Sequence, residues 1–187
     1  MLRINDRVPD FEADAFVGSE IKKLKFSDYR GKWMVLIFYP ADFTFVCPTE
    51  LEEMADLYPK FKDLDAEVFS VSRDTAFVHK AWHDNSPAIK KIRYPMLADP
   101  TGKLCKEFGT YIEEEGVSLR ASFIIDPEGL LKAIEMHDNS FGRSAKELLR
   151  KLEAAKFVHD HKGRVCPASW QPGEDTMEPT LDMVGKI

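Results

Sequence analysis

The feature that most constrains the fold is an unbroken run of seven large apolar residues at positions 33–39. A continuous apolar run of this length is typical of a central strand that is covered on both faces of a sheet. Pro40 follows directly and ends the strand, because proline has no N–H group to donate to a neighbouring strand. No run in the chain approaches the roughly 20 apolar residues of a membrane-spanning helix, so we expect no membrane among its partners.

Strand and helix patterns alternate along the rest of the chain. Apolar residues at spacings of three and four predict a helix that starts at Pro48, and Pro59 predicts a kink or break near residue 58. The other strands are predicted at 66–72, 94–98, 122–126 and 130–136, and the other helices at 75–84, 102–109 and 144–158. This alternation predicts an α/β sheet with helices on both faces.

The two ends of the chain differ from this pattern. The N-terminal residues are mixed, and short irregular or edge strands are expected at 8–11 and 22–26. From His159 onward the chain is rich in polar residues and prolines, which indicates an extended tail. The order of elements fits a thioredoxin-like fold with an N-terminal extension, in which residues 1–158 form the domain and residues 159–187 the C-terminal tail.

Composition limits the partners and the compartment. The chain has 187 residues, which suits one domain with a tail, and its net charge of −6 argues against sequence-independent binding to nucleic acid. The N-terminus lacks the apolar segment and cleavage site of a signal peptide, so a cytoplasmic location is expected. Thiols stay reduced in that compartment, so Cys47, Cys105 and Cys166 are expected to be catalytic, metal-binding or simply buried.

Cys47 is the strongest candidate for chemistry, because it lies between a buried strand and the start of a helix. The unpaired N–H groups and the positive dipole end of a helix N-terminus favour the thiolate, which is the nucleophilic form of cysteine. Thr44, one turn earlier, can place a hydroxyl beside the sulfur, and Pro40 and Pro48 restrict the backbone on each side. The alternative is a buried cysteine that packs at a helix start.

The other two cysteines differ from each other. Cys166 lies in the predicted tail, where core packing does not explain it. A reactive thiol with a distant tail thiol suggests a nucleophile and its resolving partner; an incidental exposed cysteine is the alternative. Cys105 lies on the short helix predicted at 102–109, where a small apolar role is expected. A zinc site built from cysteines and histidines is possible in principle, but no pair of Cys or His at finger-like spacing is matched by a second pair, which disfavours it.

Arg120 and Glu50 have two interpretations each. Arg120 precedes a predicted buried strand, where it is either a surface charge or a cation directed at an anion near the strand end. Glu50 follows Cys47 by three residues, so it either orients that arginine through a salt bridge or favours the first helical turn.

These residues together resemble the peroxiredoxin family. Pro40, Thr44 and Cys47 match its active-site motif Pro-x-x-x-Thr-x-x-Cys, and residues 165–173 resemble the resolving-cysteine tail of its typical two-cysteine class. Further matches cover essentially the whole chain, at 79–83, 99–102, 120–127 and 181–187. The resemblance is closest to the bacterial alkyl hydroperoxide reductase branch of the family.

The resemblance implies a thioredoxin-like fold and reduction of a hydroperoxide substrate without metal or cofactor. It implies a peroxidatic role for Cys47, which becomes a sulfenic acid, and a resolving role for Cys166 of the partner subunit, with an intersubunit disulfide between them. It also implies that Pro40, Thr44 and Arg120 lie next to the sulfur and contact it or the peroxide.

Glu50 has a supporting role in the same resemblance. The resemblance also implies a homodimer, of which five form a decameric ring, and a dithiol protein that reduces the disulfide, either a flavoprotein disulfide reductase or a thioredoxin-like protein. Residues 109–116 lack the Gly-Gly-Leu-Gly motif of the oxidation-sensitive members, and the sequence ends in Gly-Lys-Ile without their appended helix. Resistance to overoxidation is therefore expected.

Two other functions remain as alternatives. A thiol–disulfide oxidoreductase on the same fold is disfavoured, because residues 46–50 contain no Cys-x-x-Cys motif. A non-enzymatic assembly or chaperone role is compatible with the sequence as an additional function.

Overall fold

The computed structural model describes residues 2–186. Contacts divide the chain into two compact units, one that ends at Ala145 and one that starts at Lys146. The boundary predicted from the sequence lies later, between residues 158 and 159, and the functional division of the chain remains a prediction.

Helices and strands alternate through the first unit as the apolar patterns predict. The strands are β1 (Glu12–Val17), β2 (Glu20–Lys25), β3 (Trp33–Phe38), β4 (Ala66–Ser72), β5 (Met96–Ala98), β6 (Tyr111–Ile112), β7 (Val117–Ser118), β8 (Arg120–Ile125) and β9 (Leu131–His137). The α-helices are α1 (Cys47–Asp63), α2 (Ala76–Asn85), α3 (Lys103–Phe108) and α4 (Ala145–Asp160). Among the helices of residues 2–186, none has the length and apolarity that crossing a lipid bilayer requires.

A mixed seven-stranded sheet organises the fold, with strand order β2-β1-β5-β4-β3-β8-β9. Strand β3 pairs in parallel with β4 and antiparallel with β8, and all six of its residues are buried. The apolar run at 33–39 is therefore a central strand, as predicted. Because β3 runs directly into the loop before α1, the sheet fixes the position from which that helix begins.

The core of the first unit is rich in aromatic side chains. The ring of Phe108 lies 5.1 Å from the ring of Phe38 and 4.8 Å from the ring of Phe123. Cys105, on α3, is fully buried in this same cluster. A small apolar side chain fits that position, so burial accounts for the residue.

Helix α1 differs from the prediction, because it runs without a break from Cys47 to Asp63 and includes Pro59. Of the kink or break predicted near residue 58, the break is wrong. Leu51 and Met54 are buried before the proline and Phe61 is buried after it. Packing on both sides of Pro59 therefore offsets the backbone hydrogen bond that a proline inside a helix cannot make.

The N-terminal region is also more regular than predicted. Segment 8–11 is not a strand; the strand β1 starts after it and forms an antiparallel hairpin with β2, which lies at the edge of the sheet. The small hairpin of β6 and β7 has no counterpart in the predicted elements. Its strands have two residues each, too short for a period-of-two pattern to identify.

The second unit contains most of α4 and the segment that follows it. That segment turns back on itself instead of being extended throughout: Val165 and Met177 exchange two backbone hydrogen bonds of 2.9 and 3.0 Å. Trp170 is buried, and its ring lies 5.0 Å from the ring of Phe157 on α4. The Nη1 of Arg150 donates to the carbonyl of Trp170 at 2.9 Å, which ties the segment to the helix within this unit. Ile187, the last residue of the predicted tail, lies outside the described residues.

Candidate active site

Cys47 is the first residue of α1, and its side chain is fully buried. Val46 is the N-cap, and Pro48 occupies the first turn, where the missing N–H group costs no helical hydrogen bond. The sulfur therefore lies at the positive end of a helix of 17 residues. This is the location that the sequence predicts for it.

Arg120 brings a positive charge to the sulfur of Cys47. It is the first residue of β8, the strand next to β3, and its side chain is 4% exposed. Its Nη1 lies 3.3 Å from the Sγ of Cys47 and 2.9 Å from the Oε2 of Glu50. Its Nε donates to the carbonyl of Asn139 at 3.0 Å, so the guanidinium is held from two sides. Burial opposes the charge, but Cys47 and Glu50 outweigh it and raise the pKa of Arg120.

Glu50 lies one turn after Cys47 and binds a second arginine. The Nε and Nη2 of Arg143 donate to the two carboxylate oxygens of Glu50 at 2.9 and 3.1 Å, and the backbone N–H of Arg143 donates to Oε1 at 2.7 Å. Burial alone would raise the pKa of the Glu50 carboxyl, but Arg143 and then Arg120 lower it below its usual value. We call Arg120, Glu50 and Arg143 the Arg–Glu–Arg cluster.

Sequence reasoning did not identify Arg143. The residue follows Gly142 in the loop between β9 and α4, and no local pattern marks it. A Cβ atom on Gly142 would lie 3.3 Å from Cγ1 of Val46 and 3.4 Å from Cγ of Glu50. Because both contacts are tight, the glycine lets this loop approach the first turn of α1 closely.

The remaining residues before Cys47 lie in the loop between β3 and α1. Pro40 is half-buried and directly follows Tyr39, where the apolar run ends. The hydroxyl of Thr44 is also half-buried and donates to the carbonyl of Ala41 at 2.9 Å, which closes a turn in the loop. Both residues precede the sulfur by less than ten positions, and their roles toward a substrate remain predictions.

Cys166 lies in the second unit and is a free thiol, as are Cys47 and Cys105. Its side chain is half-buried, and its Sγ lies 3.9 Å from the carbonyl oxygen of Ala154 on α4. Burial raises the pKa of the Cys166 thiol, while the charge of Arg150 opposes that effect. The resolving role of Cys166 remains a prediction.

A metal site is not found in the described part of the chain: within residues 2–186, no group of three or more His, Cys, Asp or Glu side chains is arranged to hold an ion. The buried guanidinium beside the sulfur can stabilise negative charge that develops on an oxygen next to it. Such an arrangement suits nucleophilic attack by sulfur on an electrophilic oxygen.

Comparisons with known proteins agree with this chemistry. Residues 4–134 match the AhpC/TSA family, and residues 154–186 match the C-terminal domain of 1-Cys peroxiredoxin. The alkyl hydroperoxide reductase C of Escherichia coli strain K12 is 49% identical over 187 residues, which cover all of both chains. The crystal structure of Enterococcus faecalis AhpC superposes with a TM-score of 0.87 at 50% identity and covers 89% of this chain and all of that one.

A more distant structure gives the same result. The reduced 2-Cys peroxiredoxin of Plasmodium vivax superposes with a TM-score of 0.91 at 32% identity and covers 96% of this chain and 94% of that one. The fold is therefore thioredoxin-like, as the order of elements predicts. The chain belongs to the AhpC/TSA family, and it is a peroxiredoxin, a thiol-dependent peroxidase of the alkyl hydroperoxide reductase type.

Proposed function

We propose that Cys47 is the peroxidatic residue and that Cys166 of the partner subunit resolves its oxidised form. The observation that carries the proposal is the contact of 3.3 Å between the Nη1 of Arg120 and the Sγ of Cys47 in a buried site. A guanidinium so close to a thiol stabilises the thiolate and the negative charge that forms next to it. The family membership of the chain supports the same reaction.

The first step is a nucleophilic substitution at oxygen. The thiolate of Cys47 attacks the terminal oxygen of a hydroperoxide, the O–O bond breaks, and the leaving oxygen takes a proton to give water or an alcohol. Cys47 is thereby oxidised to a sulfenic acid. Arg120 stabilises the charge on the leaving oxygen, while Thr44 and Pro40 position the peroxide and shape the loop around it.

The Arg–Glu–Arg cluster supports this step indirectly. Glu50 accepts hydrogen bonds from both arginines, so it fixes the plane of the Arg120 guanidinium next to the sulfur. Arg143 also donates to the hydroxyl of Ser122 at 3.1 Å, which anchors the cluster to β8. Glu50 and Arg143 are therefore positioning residues in this proposal.

The second step forms a disulfide. The thiol of Cys166 attacks the sulfenic sulfur of Cys47 in the partner subunit, and water leaves. Disulfide geometry requires Cα atoms within about 7 Å of each other. Because Cys47 is fully buried in the first turn of α1, that turn has to unwind before the sulfur can react with another chain. A dithiol protein, either a flavoprotein disulfide reductase or a thioredoxin-like protein, then reduces the disulfide by exchange.

The proposal extends to the assembly. An intersubunit disulfide requires at least a homodimer, and the family resemblance favours five such dimers in a decameric ring in the cytoplasm. Residues 1–158 would then form the peroxidase domain, and residues 159–187 the tail that carries the resolving cysteine to the partner. Sedimentation of the reduced protein measures the size of the assembly.

Replacement of Cys47 tests the first step. We expect Cys47→Ser to abolish the reduction of hydrogen peroxide and of an organic hydroperoxide in an assay with excess dithiothreitol. The matched control is Cys105→Ser, which removes a buried thiol outside the site and should leave turnover nearly intact. Substantial turnover by Cys47→Ser would overturn the assignment.

Electrophoresis without reductant tests the second step. The wild type oxidised with one equivalent of peroxide should run as a covalent dimer, and Cys166→Ser should run as a monomer under the same treatment. A monomeric band for the oxidised wild type would indicate an intrachain bond or no bond, and it would contradict resolution by the partner subunit.

A further inference from the structure

The loop that carries residues 40–46 into Cys47 is held in a strained conformation. It contains no helix or strand, and Phe43 within it has a φ of 55°. A non-glycine residue in the left-handed region costs on the order of 1 kcal/mol and persists only where its surroundings enforce it. Other contacts must therefore keep the loop in place before α1.

The side chain of Asp42 supplies the main buried contacts of this loop. It is fully buried, and it lies between two partners that belong to other elements. Its Oδ2 lies 2.7 Å from the Nδ1 of His79 on α2, and its Oδ1 accepts a hydrogen bond of 2.7 Å from the hydroxyl of Tyr39. Its backbone N–H donates to the carboxylate of Asp74 at 2.9 Å.

His79 extends the contact to the sheet. Its ring is fully buried, and its Nε2 lies 3.1 Å from the carbonyl oxygen of Leu97 on β5. A carbonyl oxygen only accepts hydrogen bonds, so Nε2 carries a proton and donates it. On the other side of the ring, Nδ1 is at hydrogen-bond distance from the carboxylate of Asp42, so the His79 side chain bridges the loop and β5.

An aromatic contact covers the same part of the loop. The ring of Trp82, one turn after His79 on α2, lies 6.2 Å from the ring of Tyr39 and 6.0 Å from the ring of Phe43. Because Trp82 is buried against these two rings, we expect its fluorescence to change when the loop moves away. The side chain of Asp42 and the ring of Phe43 thus attach the loop to one face of α2.

We propose that Asp42 and His79 are positioning residues that hold the loop at 40–46 in the conformation in which Cys47 reacts with peroxide, and that their hydrogen bond breaks when the first turn of α1 unwinds. This inference rests on the proposed function, because it assumes a folded site for the peroxide step and an unwound site for the disulfide step. Neither residue touches the sulfur, so they act through the loop.

The two steps should respond in opposite directions when the pair is removed. In Asp42→Ala the loop loses its buried anchor, so the peroxide step should slow about tenfold, since small displacements of reacting groups have effects of this order or larger. The disulfide step should become at least threefold faster, because less structure has to be broken. Rapid mixing with hydrogen peroxide, followed by tryptophan fluorescence and by quenched samples on non-reducing gels, measures the two steps separately.

Two further variants make the test independent of one substitution. His79→Leu removes the same hydrogen bond from the side of α2 and should change both steps in the same directions. Asp42→Asn should bring both rates to within threefold of the wild type, because an amide can accept from Tyr39 and donate to a neutral imidazole. Tyr58→Phe is the control, because it removes a hydrogen bond to Glu67 far along α1 and should change neither step.

The outcomes separate this inference from the proposed function. Three results would overturn the role of the pair. The first is a peroxide step slowed by less than threefold in folded Asp42→Ala and His79→Leu, and the second is a slower disulfide step in these variants. The third is failure of Asp42→Asn to restore the two rates. The same experiment tests the proposed function, because the phase that reports disulfide formation should be present in the wild type and missing in Cys166→Ser. Absence of a Cys166-dependent phase in the wild type would refute that function whatever the Asp42 variants show.

Discussion

Arg120 joins the sulfur of Cys47 to the rest of the buried charge, through contacts of 3.3 Å to Sγ and 2.9 Å to Glu50. We expect Arg120→Met to lower the second-order rate constant for hydrogen peroxide by about 10²–10³-fold, the usual cost of losing one preorganised donor to a developing negative charge. Competition with a second peroxidase measures that constant. The control is Arg93→Met, which removes an exposed guanidinium and should leave it unchanged. An unchanged second-order rate constant in Arg120→Met would show that Arg120 takes no part in the reaction.

Cys105 should be inert toward alkylating reagents in the folded protein. Burial, reinforced by the nearby Asp99 carboxylate, raises the pKa of its thiol from 9.0 to about 12. A shift of three pKa units lowers the thiolate fraction at pH 8 by about a thousandfold, and the thiolate is the form that reacts. Mass spectrometry after treatment with iodoacetamide at pH 8 should find Cys105 unmodified, whereas the urea-unfolded chain should be modified there. Modification of Cys105 in the folded protein as fast as of Cys166 would contradict this expectation.

At the scale of elements, the contact between the loop before α4 and the start of α1 limits side-chain size at Gly142. In Gly142→Ala the new Cβ would meet Val46 at 3.3 Å and Glu50 at 3.4 Å, so the loop has to shift and to move Arg143 with it. We expect a loss of about 1 kcal/mol in the free energy of unfolding and a slower peroxide step. Urea unfolding and rapid mixing measure the two effects, with Ser140→Ala in the exposed part of the same loop as the control. Wild-type values for both quantities would show that the loop adapts without cost.

Local patterns predicted most of the helices and strands and the residues adjacent to Cys47, because these depend on neighbours in sequence. The buried strand, Pro40 and the helix start follow from a short stretch of chain, and the spacing of Cys47 and Glu50 places both on one turn. Arg143 is 93 residues from Glu50 in sequence, so only the folded chain brings the two together. The unbroken helix at Pro59 also depends on the folded chain, because packing against the sheet, and not local helix propensity, keeps the helix continuous there.

At the scale of the whole molecule, the Arg–Glu–Arg cluster contributes to stability in a way that depends on pH. Arg143 and Arg120 lower the pKa of Glu50 below its usual 4.5, against the opposing effect of burial. The stabilisation is therefore fully present above pH 4.5 and is lost as the pH falls through the lowered value in the folded state. Removal of this carboxylate leaves two buried guanidinium groups without their counter-charge.

We expect Glu50→Gln to lower the free energy of unfolding at pH 7 by about 3 kcal/mol, the usual cost of breaking a buried ion pair from one side. The difference from the wild type should shrink below pH 4.5, where Glu50 of the unfolded chain takes up a proton, and disappear as the pH falls through the lowered pKa of Glu50 in the folded state. Urea unfolding at pH 7, 4 and 3 and at one protein concentration measures this difference in the free energy of unfolding. Glu20→Gln, at an exposed position, is the control. A difference that stays constant down to pH 3 would show that the charge of Glu50 does not carry the effect.

Two guanidinium groups share one carboxylate in the Arg–Glu–Arg cluster, and all three side chains are at most 5% exposed. The cluster by itself therefore holds one positive charge in excess. A thiolate at Cys47, next to Arg120, balances that excess, whereas a sulfenic acid is neutral and leaves it unbalanced. An uncompensated buried charge is unfavourable, so the proposed reaction weakens the closed site at the moment when Cys47 has to leave it. On the proposed mechanism, oxidation of Cys47 would therefore favour release of its side chain from the closed site.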